Sequence, residues 1–154
     1  MKALELKVPP VALVAIVVAS MWAVSRISLS NLYFTFTGAA WLAAGIAVIG
    51  ACIAIFGVLE FRAAGTTADP RIPDQSVSLV TGGVYRHSRN PMYFGLLLVL
   101  SAWCLFLGSA LSLLLLPAFI IYMTRFQIIP EERFMREHFG ESYKKYRSEV
   151  RRWV

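Results

Sequence analysis

Residues 38–61 read GAAWLAAGIAVIGACIAIFGVLEF, an unbroken apolar run whose sole charged side chain, Glu60, stands at its far end. A helix of this length rises roughly 36 Å, more than the ~30 Å hydrocarbon thickness of a bilayer. Gly45, Ala47, Gly50, Ala51, Ala54 and Gly57 recur along it. Small residues let helices approach closely inside a membrane, so this run is expected at the packed centre of a helical bundle.

Working outward, three further apolar runs flank it, at 8–25, 91–107 and 110–129. The first is too long for a signal-peptide core and lacks a small-residue cleavage site, so it is expected as a retained span. The last two are separated only by Gly108-Ser109, which predicts an antiparallel helical hairpin, with Pro117 inside its second arm. Between the second and third runs lies a polar segment, 62–90, with Gly65, Pro70, Pro73, Gly82 and Gly83, which reads as an ordered loop at the water interface. From 130 to 154 the chain is polar again. It is expected as one or two short amphipathic helices against the membrane, with Phe134, Phe139, Tyr143, Tyr146, Val150 and Trp153 on the apolar side. The fold expected is thus a single all-α integral membrane domain, 1–154, with about four transmembrane helices.

Composition agrees. The chain of 154 residues is 58% hydrophobic and 16% charged, against roughly 45–50% and about 25% in soluble domains. Its net charge of +6 does not point to nucleic acid, because the basic residues flank apolar runs instead of interleaving with aromatics on a polar face. Anionic lipid headgroups are the expected partners. Lys2, Lys7, Arg62, Arg71, Arg86, Arg89, Arg125 and the basic residues of the tail all fall on one side of a four-span arrangement, and Arg26 alone falls on the other. Basic loops stay in the cytoplasm, so a multi-pass topology with both termini and the 62–90 loop cytosolic follows. Cys52 and Cys104 sit within apolar runs without CxxC spacing and read as small hydrophobes, with no metal site.

Polar groups with chemical potential gather at that cytosolic face: Glu60, then Leu79 to Tyr85, then Arg89 to Gly95, then Arg125 with Glu131 and Glu132. Each piece also has a structural reading. Asn90-Pro91 is a good helix start, with Asn as N-cap and Pro in the first turn. Glu131 and Glu132 suit the dipole of a helix first turn. Thr81-Gly82-Gly83 makes a turn, Tyr85 and Tyr93 suit an interfacial belt, and Arg125 and Glu60 can extend to headgroups.

Taken in order, LVTGGVYRHSRNPMYFG at 79–95, a helical hairpin, Glu131-Glu132 and then FGESYKKY at 139–146 resemble the isoprenylcysteine carboxyl methyltransferase and phospholipid methyltransferase superfamily. The resemblance runs from about Glu60 onward. It implies S-adenosylmethionine-dependent methyl transfer to a lipophilic, lipid or prenylated acceptor, at a pocket open to the cytosol for the cofactor and to the bilayer for the acceptor. The cofactor would lie among Leu79, Val80, Gly83, Tyr85, Arg89, Asn90, Pro91, Tyr93, Gly95, Glu131 and Glu132. In this arrangement Tyr85 and Tyr93 form an aromatic slot, the Gly83 backbone and Asn90 donate hydrogen bonds, and one of the two glutamates meets the ammonium. Asn90 and Arg125 take the catalytic positions, Arg125 orienting a polar or anionic head. Methyl transfer is an in-line displacement that needs no enzyme nucleophile, so no Ser-His-Asp signature is expected.

Three positions depart from the family pattern: Asn90 replaces a histidine, Val77 stands where the eukaryotic isoprenylcysteine enzymes carry a histidine, and Val150-Arg151 replaces Val-Pro. Together they point away from isoprenylcysteine as the specific acceptor. Two other readings stand beside this one. One is an NAD(P)H-dependent membrane reductase related to the sterol reductases, which share an Arg-x-Pro-x-Tyr-x-Gly element but carry an acidic residue where this chain has Leu96. The other is a non-catalytic lipid-binding membrane protein. The small-residue faces of 38–61 serve intrachain packing or a dimer.

Overall fold

The computed structural model describes residues 5–27, 33–65 and 78–154. Lys2, Pro70, Arg71, Pro73 and Val77, on which parts of the topology and motif reading fall, lie outside them. The described residues are helical: α1 (Pro10–Ser25), α2 (Ala39–Ala63), a 3-10 turn (Gly83–Arg86), α3 (Pro91–Leu107), α4 (Ala110–Leu113), α5 (Leu115–Met123), a π turn (Thr124–Ile128) and α6 (Ile129–Glu149).

Two helical stretches are long and apolar enough to cross a membrane, α2 and the continuous rod Ala110–Glu149; α1 and α3 are apolar but shorter. The outward side of α2 supports a lipid environment. Trp41 is 84% exposed, and Val48, Ile49, Ile55 and Phe56 are exposed with it. In water such a continuous apolar surface would drive association.

α3 is the central element, packed against α1, α2, α4 and α5. Its contact with α2 is the most extensive among the described elements, and the small residues explain why. A Cβ at Gly50 would stand 2.6 Å from the Gly95 carbonyl oxygen and 2.8 Å from Leu98 Cβ, and one at Gly95 would stand 2.8 Å from Ala54 N. The backbones meet only because both positions lack side chains. The small-residue pattern is therefore used selectively: Gly50, Ala54 and Gly57 face α3 or the segment before it, whereas Gly45 has open space around it and Ala51 is exposed. Val17 and Met21 of α1, Tyr93, Leu100 and Cys104 of α3, and Phe119, Met123 and Ile128 fill the core between these helices.

Three sequence expectations change in detail. The run 110–129 is not one straight helix: it breaks at Leu114 between α4 and α5 and passes through the π turn. The polar C-terminal segment is not set off from the last span: Pro130 occupies the first turn of α6, where a missing N–H leaves no intrahelical bond unmade, so the helix runs on from the π turn. It divides at Gly140 (φ 50°, ψ −120°) into two helical stretches, within the one or two amphipathic helices expected. Asn90 holds the N-cap position of α3, but its side chain makes no capping hydrogen bond. Its amide nitrogen donates instead to the Arg152 carbonyl at 2.9 Å.

Both ends of the chain meet at one end of the bundle. The Leu6 N–H donates to the Phe126 carbonyl at 3.0 Å, Gln127 Nε2 donates to the Val8 carbonyl at 2.6 Å, and Arg133 pairs with Glu5 at 3.4 Å. The close of α2, the start of α3 and a non-helical C-terminal strap, residues 150–154, occupy the same end, because Phe61, Val80, Tyr85, Tyr143 and Val150 pack into one cluster there.

Candidate functional site

A cavity of about 80 Å³ opens within that cluster. Its lining comes from four pieces of chain: Phe61 at the end of α2; Ser78, Leu79, Val80 and Tyr85 before and within the 3-10 turn; Arg89, Asn90, Met92 and Tyr93 leading into α3; and Glu131, Glu132, Met135, Tyr143 and Tyr146 on α6. Stretches separated by the hairpin thus converge as the motif order implies. Among the anticipated cofactor residues, Leu79, Val80, Tyr85, Arg89, Asn90, Tyr93, Glu131 and Glu132 line this space.

The two adjacent glutamates play different parts. Glu132 is buried and accepts a bidentate pair from Arg152, Nε at 2.9 Å and Nη2 at 2.8 Å, together with Arg89 Nη2 at 2.7 Å. Burial alone would raise its pKa, but hydrogen bonds from Arg152 and Arg89 outweigh that and hold it below the usual carboxylate value. This carboxylate is therefore already neutralised. Glu131 leaves part of its residue surface exposed while its carboxyl group sits deep, accepting a 2.5 Å hydrogen bond from Tyr93 Oη. Burial pushes its pKa up to about 8, the Tyr93 hydrogen bond opposes the rise, and the neighbouring Glu132 charge adds to it. No arginine or lysine is paired with Glu131 among the described contacts, so a cation entering the cavity is its natural counter-charge.

Tyr85 supplies a second unmet group. Its ring is buried edge-on against Phe61 at 5.2 Å, and its hydroxyl is buried without a hydrogen-bond partner among the described residues. Burial raises the Tyr85 pKa, and the nearby Tyr146, Glu131 and Glu60 raise it further, so the hydroxyl stays protonated and able to donate. An unpartnered buried polar atom is costly, and a ligand atom would relieve it.

Arg89 acts as the tie between the two halves of the wall. Besides Glu132, Nη1 donates to the Val150 carbonyl at 2.6 Å and the Arg147 carbonyl at 3.2 Å, and the Arg89 N–H donates to the Arg151 carbonyl at 2.9 Å. Tyr146 Oη donates to the Tyr85 carbonyl at 2.7 Å. Trp153, just beyond, packs onto the transmembrane core. The C-terminal strap is thereby fastened across the loop that precedes α3.

Four anticipated residues stand outside the lining. Gly83 (φ 52°) lies against Glu60, whose carboxylate occupies the space a Cβ would need. Its left-handed backbone conformation favours glycine, and a side chain there would displace the Glu60 carboxylate. Pro91 is the buried first residue of α3, and Gly95 is the contact point with α2. Arg125 is half-buried in the π turn and does not reach the cavity wall. Conversely, the sequence reading missed Arg152, the principal partner of Glu132. No local pattern marks it, since the pair spans 20 residues and closes only through the kink at Gly140.

Comparison with known proteins gives two kinds of likeness. The phospholipid methyltransferase family model matches residues 38–142. An uncharacterized protein of Haemophilus influenzae is 44% identical over 63 residues, covering 41% of this chain and all of that protein. Protein-S-isoprenylcysteine O-methyltransferase of Schizosaccharomyces pombe is 33% identical over 72 residues, which is 47% of this chain and 30% of the yeast protein.

Proposed function

The chain belongs to the phospholipid methyltransferase family, and on that premise we propose that it transfers a methyl group from S-adenosylmethionine to a lipophilic acceptor at the cytosolic face of a membrane. The proposed topology has four spans, α1, α2, α3 and the α4–α5 rod, with both termini and the cavity cytosolic. Both named methyltransferase matches favour this over a reductase.

The observation that carries the reading is the Tyr93–Glu131 pair beside the unpartnered Tyr85 hydroxyl. S-adenosylmethionine presents an ammonium, a carboxylate, an adenine and a sulfonium. Glu131 fits the ammonium, because it is the one acid of the pair without a built-in cation. Leu79, Val80, Met92 and Met135 offer an apolar slot, Tyr85 an aromatic edge and a donor, and Asn90 a polar wall. When bound, the cofactor supplies an electrophilic methyl group. The chain's part is then to orient it, exclude water and direct the acceptor in line. Arg125, six residues and roughly 9 Å before Glu131 along the rod, is assigned to the polar head of the acceptor. A lipid or a prenylated molecule suits a site next to exposed apolar helix surface.

The donor set fits this cofactor, but the space does not yet. About 80 Å³ is well below the ~300–1,000 Å³ of typical ligand sites, so one wall moves outward on binding. Two lining stretches lie outside a helix: Arg89 and Asn90 are fastened to the Val150 and Arg152 carbonyls, whereas Ser78, Leu79 and Val80 are tied back through Ser78 Oγ to the Ala64 carbonyl at 3.2 Å. The second is the wall expected to yield.

Thermal unfolding of the detergent-purified protein with S-adenosylmethionine or NADPH tests the reading, because a ligand specific to the folded state raises its stability. S-adenosylmethionine should raise the Tm and NADPH should not. The reverse preference would restore the reductase reading, and no shift with either would favour a non-catalytic lipid-binding protein.

A further inference from the structure

At the opposite end of the bundle, two cavities share the side chains of Trp103 and Phe106. One, about 380 Å³, is an apolar trough floored by Ala40, Ala43, Ala44 and Ala47 of α2. From Ala40 to Ala47 it extends about 10 Å along the helix, a large part of one leaflet's hydrocarbon depth. The other, about 500 Å³, adjoins the trough through the shared side chains and carries Ser25 and Arg26.

Arg26 stands over the Trp22 ring at 4.9 Å. It is the sole basic residue on this side of the proposed topology, and no acidic residue lines either cavity. Trp103 donates its indole N–H to the Val18 carbonyl at 3.2 Å and is stacked on Phe106 at 5.5 Å, which orients the shared wall. An apolar trough at hydrocarbon depth that leads to a cation with no acidic partner among the described residues has the form of one phospholipid molecule.

We propose that this face holds a phospholipid of the leaflet opposite the catalytic cavity, one acyl chain in the alanine-floored trough and its phosphate at Arg26. The site is distinct from the methyl-transfer cavity, since Ala43 and Gly57 are about 20 Å apart along α2. It rests on the proposed topology but not on the proposed reaction.

The test is native mass spectrometry of the full chain in detergent, titrated with phosphatidylglycerol. Ala40 and Ala44 are both exposed, so Ala44→Phe and Ala40→Phe add bulk to the trough from the surface without entering the core. The wild type should retain one lipid molecule that both variants lose. Arg26→Gln should weaken retention about fivefold, the factor that ~1 kcal/mol for one arginine–headgroup contact carries. Equal retention by all four proteins would overturn the proposal. So would a wild-type dimer that the phenylalanine variants convert to monomer, because the trough would then belong to a second copy of the chain.

Discussion

Glu131 gives the sharpest quantitative consequence of the proposed site. Its carboxyl group is held neutral by burial, with a pKa of about 8, whereas the ammonium of S-adenosylmethionine requires the carboxylate. Binding must therefore expel a proton near neutral pH. With a pKa of 8 the ionised fraction of the free protein is about 1% at pH 6 and about 9% at pH 7, so affinity should rise about ninefold over that interval. An α-amino group, with a pKa of ~7.7–8.0, is still roughly 85–90% protonated at pH 7, so the ligand's own titration changes the ninefold trend only slightly. Titration calorimetry at pH 6.0, 6.5 and 7.0, repeated at pH 7.0 in buffers of different ionisation enthalpy, reads both the affinity slope and the proton released. Glu131→Gln should bind weakly and without that slope. A flat wild-type profile, or an equal slope in the Gln variant, would refute the assignment of Glu131 to the ammonium. The same shift has a stability counterpart. Because the folded-state pKa lies above the ordinary value of 4.5, the contribution is complete below pH 4.5 and is lost as pH rises through 8. The ligand-free protein should then unfold at lower temperature at pH 9 than at pH 6, by a margin that Glu131→Gln reduces.

Other consequences separate the remaining residues. Glu132→Gln leaves Arg89 and Arg152 without their shared carboxylate and should destabilise the fold by about 3 kcal/mol, the low end for a broken buried pair because Arg152 is a third exposed; thermal unfolding and Trp153 fluorescence report it. Tyr85→Phe removes a buried hydroxyl with no partner, so ligand-free stability should rise by about 1 kcal/mol while S-adenosylmethionine affinity falls. If both are unchanged, the hydroxyl has no ligand role. Arg125→Ala should lower turnover at least tenfold while leaving cofactor affinity within twofold, as steady-state kinetics beside calorimetry would reveal; equal losses would place Arg125 in the cofactor site.

What could be read from the sequence divides along physical lines. The helices were legible because lipid forces long apolar runs, and the close α2–α3 contact was legible in Gly50, Ala54 and Gly57, although not which of the small residues would face inward. Helix ends were less so. Pro130 resembles a stop signal, yet in the first turn it breaks nothing, and Asn90 resembles a cap, yet its amide reaches the strap. The motif order brought Tyr85, Tyr93 and the glutamate pair together, but their division of labour was not in the motif. It depends on Arg152, which comes back to Glu132 only because Gly140 bends α6 and the strap closes on the loop. Gly83 and Gly95 shared the motif with cavity residues, but they serve backbone conformation and helix approach.

Methyl transfer through the Tyr93–Glu131 cavity can be followed with purified protein, S-adenosylmethionine carrying tritium in the methyl group, and a membrane lipid extract supplemented with amine, thiol and carboxylate acceptors. Label should move into the organic-soluble fraction with the wild type and fall at least tenfold with Glu131→Gln. Absence of transfer to every acceptor class by a folded protein, or undiminished transfer by the Gln variant, would contradict it.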